Sequence, residues 1–528
     1  MALARTATAK ERATVGLVAV FTVYFASSYF FRGSGVTLPR IAADLDGMRL
    51  YSFAISMPAL ASAFVTLTFG KLSDMYGRRI MLIISLALYL TGAILAALSE
   101  SFVFFITARV IISLGQGALP PLCFSVIGDL YSPAERSKWS GLLQIPATVA
   151  AVVVPTFVGA LTDNLSWRYF LWVAVLLIFI GGYFVLSGIP ALSKRTAHRI
   201  DFSGSCLLAI ASSAMILAFS WAGSLYSWTS MPIVGLTAVS VVFWAVFLWV
   251  EGKAEEPMLD PQVFTSRTFL IAAVSALTSY FALSAIQMYL PLFQQGIQGT
   301  SVTLSGKIIT PFSALMAFMG VPVGILLSKT KRYKPIYIIG YAVLTLATFA
   351  MVMFTAGTPF WLEILVISIS GIGLGAIPTM NTLVAQFAVP KRLLGVAVGA
   401  MFFFVFMGAA LAPAILGSAM NNEYARALQK SLPVEVSRIA AGATLDSMAN
   451  PRILMSQPAM AELEKTFRGF GFHGPALFDQ TVRAIRNSFE AGLRMVFLIG
   501  AVTVLFSFLL ILTIPEIPIE AEVKDKKI

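Results

Sequence analysis

"GKLSDMYGRR", Gly70–Arg79, is a polar turn between two apolar runs, 51–70 and 80–98. Each residue type in it has a physical use. Gly70 lets two helices approach closely. Asp74 can cap the start of the next helix and pair with an arginine. Gly77 permits a tight turn. Arg78 and Arg79 supply cations for a neighbouring carboxylate, and Asp129, just past the fourth apolar run, is the candidate partner. The flanking runs set the environment. Each holds about 20 apolar residues, the length that crosses a bilayer as a helix. Neither alternates over about ten residues as a barrel strand does.

The same pattern extends outward over the whole chain. Of its 528 residues 58% are hydrophobic and 12% charged, with a mean hydropathy of +0.85. Soluble proteins carry about 25% charged residues, so a soluble fold is excluded. Apolar runs lie at 14–36, 51–70, 80–98, 102–125, 140–162, 168–189, 203–223, 231–251, 268–293, 305–328, 335–356, 360–386, 395–419 and 492–514. In lipid the backbone must satisfy its own hydrogen bonds, which leaves helices. The expectation is an all-α membrane protein with fourteen transmembrane helices. The opening "MALARTATAKERAT" is short and basic, and no small-residue cleavage site follows it. Cys123 and Cys206 lie in apolar runs, so neither a disulfide framework nor a metal site is expected. His198 and His473 are far apart, without ligand-like neighbours. No Walker A pattern, metal-ligand spacing or nucleophile motif is present. The chain reads as neither an enzyme nor a cofactor protein.

The net charge of +12 raises nucleic acid as a partner, but the distribution of cations argues against it. Lys and Arg gather in alternate loops: Lys71, Arg78 and Arg79; Arg136 and Lys138; Lys194, Arg195 and Arg199; Lys329, Lys331, Arg332 and Lys334; Lys391 and Arg392. The short loops between carry only Arg40, Arg49 and Arg168. By the positive-inside rule both termini are cytoplasmic. A multi-pass protein of a bacterial-type inner (plasma) membrane follows as the expectation.

The spans are not equivalent. "GQGALP" (Gly115–Pro120) returns as "GLGAIP" (Gly373–Pro378), and each copy precedes a short basic loop. Parallel internal repeats are a transporter architecture. Two pseudo-symmetric six-helix bundles are therefore expected, at 1–190 and 261–528. Residues 191–260 would hold a linker and an inserted two-helix hairpin. The segment 420–490 is expected to be an extracellular insertion, a lid or partner surface over the outer mouth.

The turn at Gly70–Arg79 resembles the loop-2–3 signature of the major facilitator superfamily, G-x-x-x-D-x-x-G-R-[RK]. "MYLPLFQQGIQG" (Met288–Gly299) and "SWRYFLWV" (Ser166–Val173) are similar to its fourteen-span drug/proton antiporter branch. The resemblance implies a cytoplasmic latch of Gly70, Asp74, Gly77, Arg78, Arg79 and Asp129. It also implies a role for Arg109 in proton linkage. The sequence departs from the branch at several positions. Ile112 and Ser113 replace a Gln-Gly pair after Arg109. Val154 and Val158 replace glycines around Pro155. Phe30 stands where many members have a span-one aspartate, and Ser328 where a second latch would have its acid.

Three cations are embedded: Arg32, Arg109 and Lys307. Unpaired at the bilayer centre they would cost about 8–10 kcal/mol together. At 1.5 Å per residue Arg32 lies about 27 Å along the first span, and all three fall in the outer half. The one acid placed there is Glu363. An electropositive outer cavity is expected, with Arg109, Arg32, Lys307 and Glu363 as coupling or transport residues. Phe30, Gln144, Pro155, Gln287 and Asn381 are the substrate-cavity candidates, with Gln386, Phe31, Tyr280 and Phe281 near them. The leading function is a secondary-active exporter of drugs or other amphipathic small molecules, coupled to proton influx. The alternative is an exporter or flippase of an anionic metabolite or lipid. A sensor using 420–490 as its binding surface is the third reading. The partners are then a small-molecule substrate, protons and the bilayer.

Overall fold

The computed structural model describes residues 9–45, 51–131, 133–189, 202–222, 226–253, 261–300, 302–433, 435–436, 448, 453–454, 457–469 and 474–516. Every named element among them is helical. The linker 190–201, both chain ends and parts of 420–490 lie outside the described residues.

The N-terminal part contains α1 (Ala9–Asp44), α2 (Tyr51–Tyr76), α3 (Arg78–Ala97), α4 (Phe102–Gln116), α5 (Leu119–Leu130), α6 (Pro133–Leu142), α7 (Gln144–Asn164) and α8 (Trp167–Gly188). A pair follows, α9 (Phe202–Trp221) and α10 (Met231–Glu251). The C-terminal part contains α11 (Pro261–Thr265), α12 (Arg267–Ser284), α13 (Leu290–Gly296), α14 (Val302–Phe318), α15 (Gly320–Thr330), α16 (Tyr333–Met351), α17 (Phe360–Phe387), α18 (Leu394–Ser431), α19 (Gln457–Arg468) and α20 (Gly474–Leu512). A π turn, Ala285–Tyr289, joins α12 to α13. Serine hydroxyls open several helices: Ser101, Ser166 and Ser266 accept first-turn N–H groups of α4, α8 and α12.

Among the described residues twelve helices are long and apolar enough to cross a membrane. The chain is a multi-pass membrane protein. The expected count of fourteen differs by α2 and α9, which cover the other two runs and are helical over the ranges given. Two helices are much longer than a membrane crossing requires. α18 has 38 residues and α20 has 39, about 57 Å each at 1.5 Å per residue. The polar stretches 421–431 and 478–492 belong to these two helices. Leu463 and Phe467 of α19 and Ile485 and Phe489 of α20 are buried at that end.

Two hydrophobic cores form. One runs from Ala19 to Ile189 and takes in Leu394 and Val398; the other runs from Leu208 to Ile514 and takes in Ala63. They meet where α2 and α5 pack on α18, α7 on α14 and α6 on α15. α9 touches both α2 and α18, and α10 packs on α9. The outer side of α10 is apolar and exposed, including Val241, Leu248 and Trp249. That is the surface of a helix solvated by lipid.

Candidate functional site

The site begins at the Gly70–Arg79 turn. Gly77 has φ 91°, the left-handed region that glycine tolerates, and there the chain turns from α2 into α3. The turn presents Asp74 to the start of α18. Its Oδ1 accepts the N–H of Gly395 at 3.2 Å and its Oδ2 that of Val396 at 3.0 Å. Asp74 therefore caps α18, where the sequence suggested α3. Gly77 itself precedes α3, with no side-chain cap. Arg78 Nη2 lies 2.5 Å from Asp74 Oδ1, and Arg78 Nε donates to Asp129 Oδ2 at 2.8 Å. Arg79 instead donates to the Leu186 carbonyl of α8 at 2.7 Å. The carboxylate expected for it is replaced by a helix C-terminus.

Glycines close the same end. A Cβ on Gly70 would sit 2.7 Å from Gly395 O and 3.2 Å from Gly399 Cα. On the other side of the bundle a Cβ on Gly141 would sit 2.8 Å from both Gly320 O and Gly324 Cα. Each pair brings a helix of one core into backbone contact with a helix of the other. Nearby, Arg332 holds Glu516 in a bidentate pair at 2.9 and 3.0 Å. Hydrogen bonding to that guanidinium keeps the Glu516 carboxyl below the ordinary carboxylate range.

Beyond this closed end lies a cavity of about 430 Å³ between the two cores. Helices α1, α4, α5, α7, α12, α14, α17 and α18 contribute to its wall. Its polar groups include Ser27, Gln116, Gln144, Tyr280, Gln287 and Asn381; its aromatics include Phe31, Phe124, Phe402 and Phe406. Arg32 is the one charged side chain among the described wall residues. Its guanidinium carbon lies 5.7 Å from the centroid of the Phe31 ring, within the range of a cation–π contact. Two opposed sets of helices, a cavity between them and an ion-paired turn at one end are features found in membrane transporters. A profile of the Major Facilitator Superfamily matches residues 20–413.

The chain belongs to the major facilitator superfamily. Superfamily members carry small molecules across membranes and are not enzymes. The multidrug transporter protein MdtP of Bacillus subtilis is 27% identical over 481 residues, 89% of this chain and 88% of that one. An uncharacterized MFS-type transporter of Mycobacterium tuberculosis is 28% identical over 482 residues, 91% of this chain. The chain spans 66% of the length of that relative. The human organic anion transporter MFSD10 has the same fold, with a TM-score of 0.58 at 15% identity, covering 94% of this chain and 99% of that one.

Within this superfamily fold the candidate residues separate. Gln144, Gln287 and Asn381 line the cavity, and Asn381 Oδ1 accepts the Tyr337 hydroxyl. Phe30 does not. It is 4% exposed and packs on Tyr89 and Phe170, while its neighbour Phe31 faces the cavity. Phe281 is buried in the C-terminal core while Tyr280 lines the wall. Pro155 sits inside α7, away from the wall. Arg109 is buried in α4 against the Phe105 ring, 6.0 Å from its centroid, and is not a wall residue. Lys307 is exposed on α14. The expected three-cation cavity thus reduces to Arg32. Gln386 donates to the Phe124 carbonyl at 3.4 Å, beneath the cavity. Glu363 is buried beyond it, against Gln294 and Gln298.

Gln116, Ser27 and Phe402 complete the wall without having been anticipated. The signal for Gln116 was in the repeat. The second residue of each copy, Gln116 and Leu374, faces the cavity, and so does each closing proline, Pro120 and Pro378.

Proposed function

We propose that this chain exports amphipathic small molecules by alternating access, and that Arg32 holds an anionic group of the substrate. The observation that carries the reading is the cavity wall, apolar and aromatic with a single described charge, that of Arg32. A wall with one guanidinium and no acid among the described residues suits an anionic or neutral amphiphile better than a cationic drug. The multidrug name of the Bacillus relative supports export of varied molecules.

In this reading the Asp74 end is cytoplasmic, by the positive-inside rule. Both termini are then cytoplasmic, the spans number fourteen, and the cavity faces outward with the inner latch made. The halves are 1–190 and 261–528, and α9–α10 is an inserted hairpin beside their junction. The membrane is a bacterial plasma membrane. An interior-negative potential supplies about 2.3 kcal/mol per charge per 100 mV toward anion exit. Proton influx is the second driving force.

Liposomes with an imposed potential or an imposed pH gradient test the reading. Efflux of an anionic and a cationic dye is followed in each. Anionic-dye efflux that falls at least tenfold in Arg32→Ala, and partly returns in Arg32→Lys, is the expected result. Cationic-dye efflux indifferent to Arg32→Ala overturns the assignment.

A further inference from the structure

Glu363 lies in the first turn of α17 and is completely buried. Its oxygens accept from two glutamine amides: Gln294 Nε2 at 2.9 Å on Oε2, and Gln298 Nε2 at 2.5 Å on Oε1. Ser305 Oγ donates to Gln294 Oε1 at 2.6 Å, which fixes the orientation of that amide. Gln298 Nε2 also reaches the Thr358 carbonyl at 3.1 Å, but Gln298 Oε1 is buried without a partner.

No described cation forms an ion pair with Glu363. On the packed elements, α14 brings Ser305 and then Lys307, which is exposed. The cations of α12, α15 and α16 (Arg267, Lys329 and Lys334) lie at their other ends. The charged residues of α18 toward this end are Glu423, Arg426 and Lys430, and those of α20 are Asp479, Arg483, Arg486, Glu490 and Arg494; none forms an ion pair with Glu363.

A carboxylate buried without a counter-ion is costly, whereas the neutral acid is not. A metal ion does not suit the site, because both carboxylate oxygens already face N–H donors. A proton does. When Glu363 takes one up, its O–H needs an acceptor. Turning the Gln298 amide over puts the unpartnered Oε1 where Nε2 stood. The acid then donates to it, and the Thr358 carbonyl loses its donor.

We propose that Glu363 is a proton-binding site at the end of the C-terminal half opposite Asp74. Its charge decides whether Gln298 grips the loop before α17. The proton comes from water at that end, past the half-buried Gln298. Leu374 in the cavity wall is eleven residues along α17, about 16 Å. Proton and substrate therefore occupy different sites, and the link between them runs through the α13–α17 contact. Only the statement that this proton drives transport rests on the exporter reading; the proton site stands without it.

Infrared difference spectra of the full chain in liposomes, stepped from alkaline to acid, test the site. The expected result is a protonated-carboxyl band that grows on acidification in the wild type and is missing from Glu363→Gln. A wild type without the band, or a variant that keeps all of it, overturns the assignment. Gln298→Leu removes the strongest donor to the carboxylate. Its band should titrate about one pH unit higher; an unmoved midpoint overturns the role of the amide. In efflux assays Glu363→Gln should lose the part driven by a pH gradient and keep the part driven by a substrate gradient. Full retention of the pH-driven part overturns the coupling. If the wild type exports no amphiphile under any gradient, the exporter reading fails, and the infrared result still decides the proton site.

Discussion

Asp74 uses one carboxylate for two purposes. It pairs with Arg78 and it caps α18, whose first N–H groups have no acceptor within the helix and carry the positive end of its dipole. Gly395 belongs to the same device, because a Cβ there would lie 2.4 Å from Arg78 Nη1 and 2.5 Å from both carboxylate oxygens. Asp74→Asn keeps the shape and removes the charge. Charge-assisted hydrogen bonds contribute about 1.5–3 kcal/mol, roughly a tenfold to hundredfold change in an equilibrium. Transport by Asp74→Asn should fall at least tenfold, while gel filtration shows a folded, monodisperse protein. Wild-type flux would remove Asp74 from the latch. The Gly70–Arg79 part of this cluster was readable because its residues sit together at a spacing with an obvious chemistry, whereas Gly395 and Val396, over 300 residues away, carried no such signal. Phe30 and Phe31 show the opposite case. They are adjacent, about 100° apart around a helix, yet one is 4% exposed in the core and the other 59% exposed at the cavity. In lipid both faces of a helix are apolar, so no polar contrast tells which side looks inward. Pro155, expected at the cavity and found off its wall, was misplaced for the same reason.

At the scale of elements, glycines set how closely the helices approach. A Cβ on Gly115 would meet Ser85 O at 2.3 Å on α3, and one on Gly373 would meet Gly340 O at 2.8 Å on α16. Gly117 and Gly375, the third residues of the two repeat copies, press in the same way on α2 and on the α14–α15 boundary. The repeat was thus legible as two copies of one packing solution, and α3–α4 and α16–α17 are its products. The crossings between the cores were not legible. Gly399 and Gly324 lie far in sequence from the Gly70 and Gly141 they meet, and no motif marks them. Gly399→Leu would push α18 from α2, since even a Cβ there lies 2.7 Å from Thr66 O. Overpacking of this kind costs about 1–3 kcal/mol, and it acts only on the form closed at the Asp74 end. A cysteine placed at Ser284 in the cavity wall should then react faster with a thiol reagent supplied from the Asp74 side. An unchanged rate would mean that this crossing does not hold the gate.

For the whole molecule, the two crossings between the cores are alike in glycine and unlike in charge. The α2–α18 crossing carries Asp74. In the α15 copy Ser328 stands at the matching place and donates only to the Ile325 carbonyl within its own helix. The α7–α14 side has instead a hydrogen bond from Thr148 Oγ1 to the Ala317 carbonyl at 2.6 Å. A neutral hydrogen bond is worth about 0.5–1.5 kcal/mol, less than one assisted by charge. The closed form is therefore held mainly on one side, and the α7–α14 side is the weaker seam. If the halves rock as rigid bodies, however, both seams must part in each cycle, whichever opens first. Thr148→Cys with Ala317→Cys, joined by a short thiol cross-linker, should arrest transport fully and reversibly, although the latch residues are untouched. If the cross-linked protein still transports, the α7–α14 seam does not part and the motion is confined to the Asp74 side.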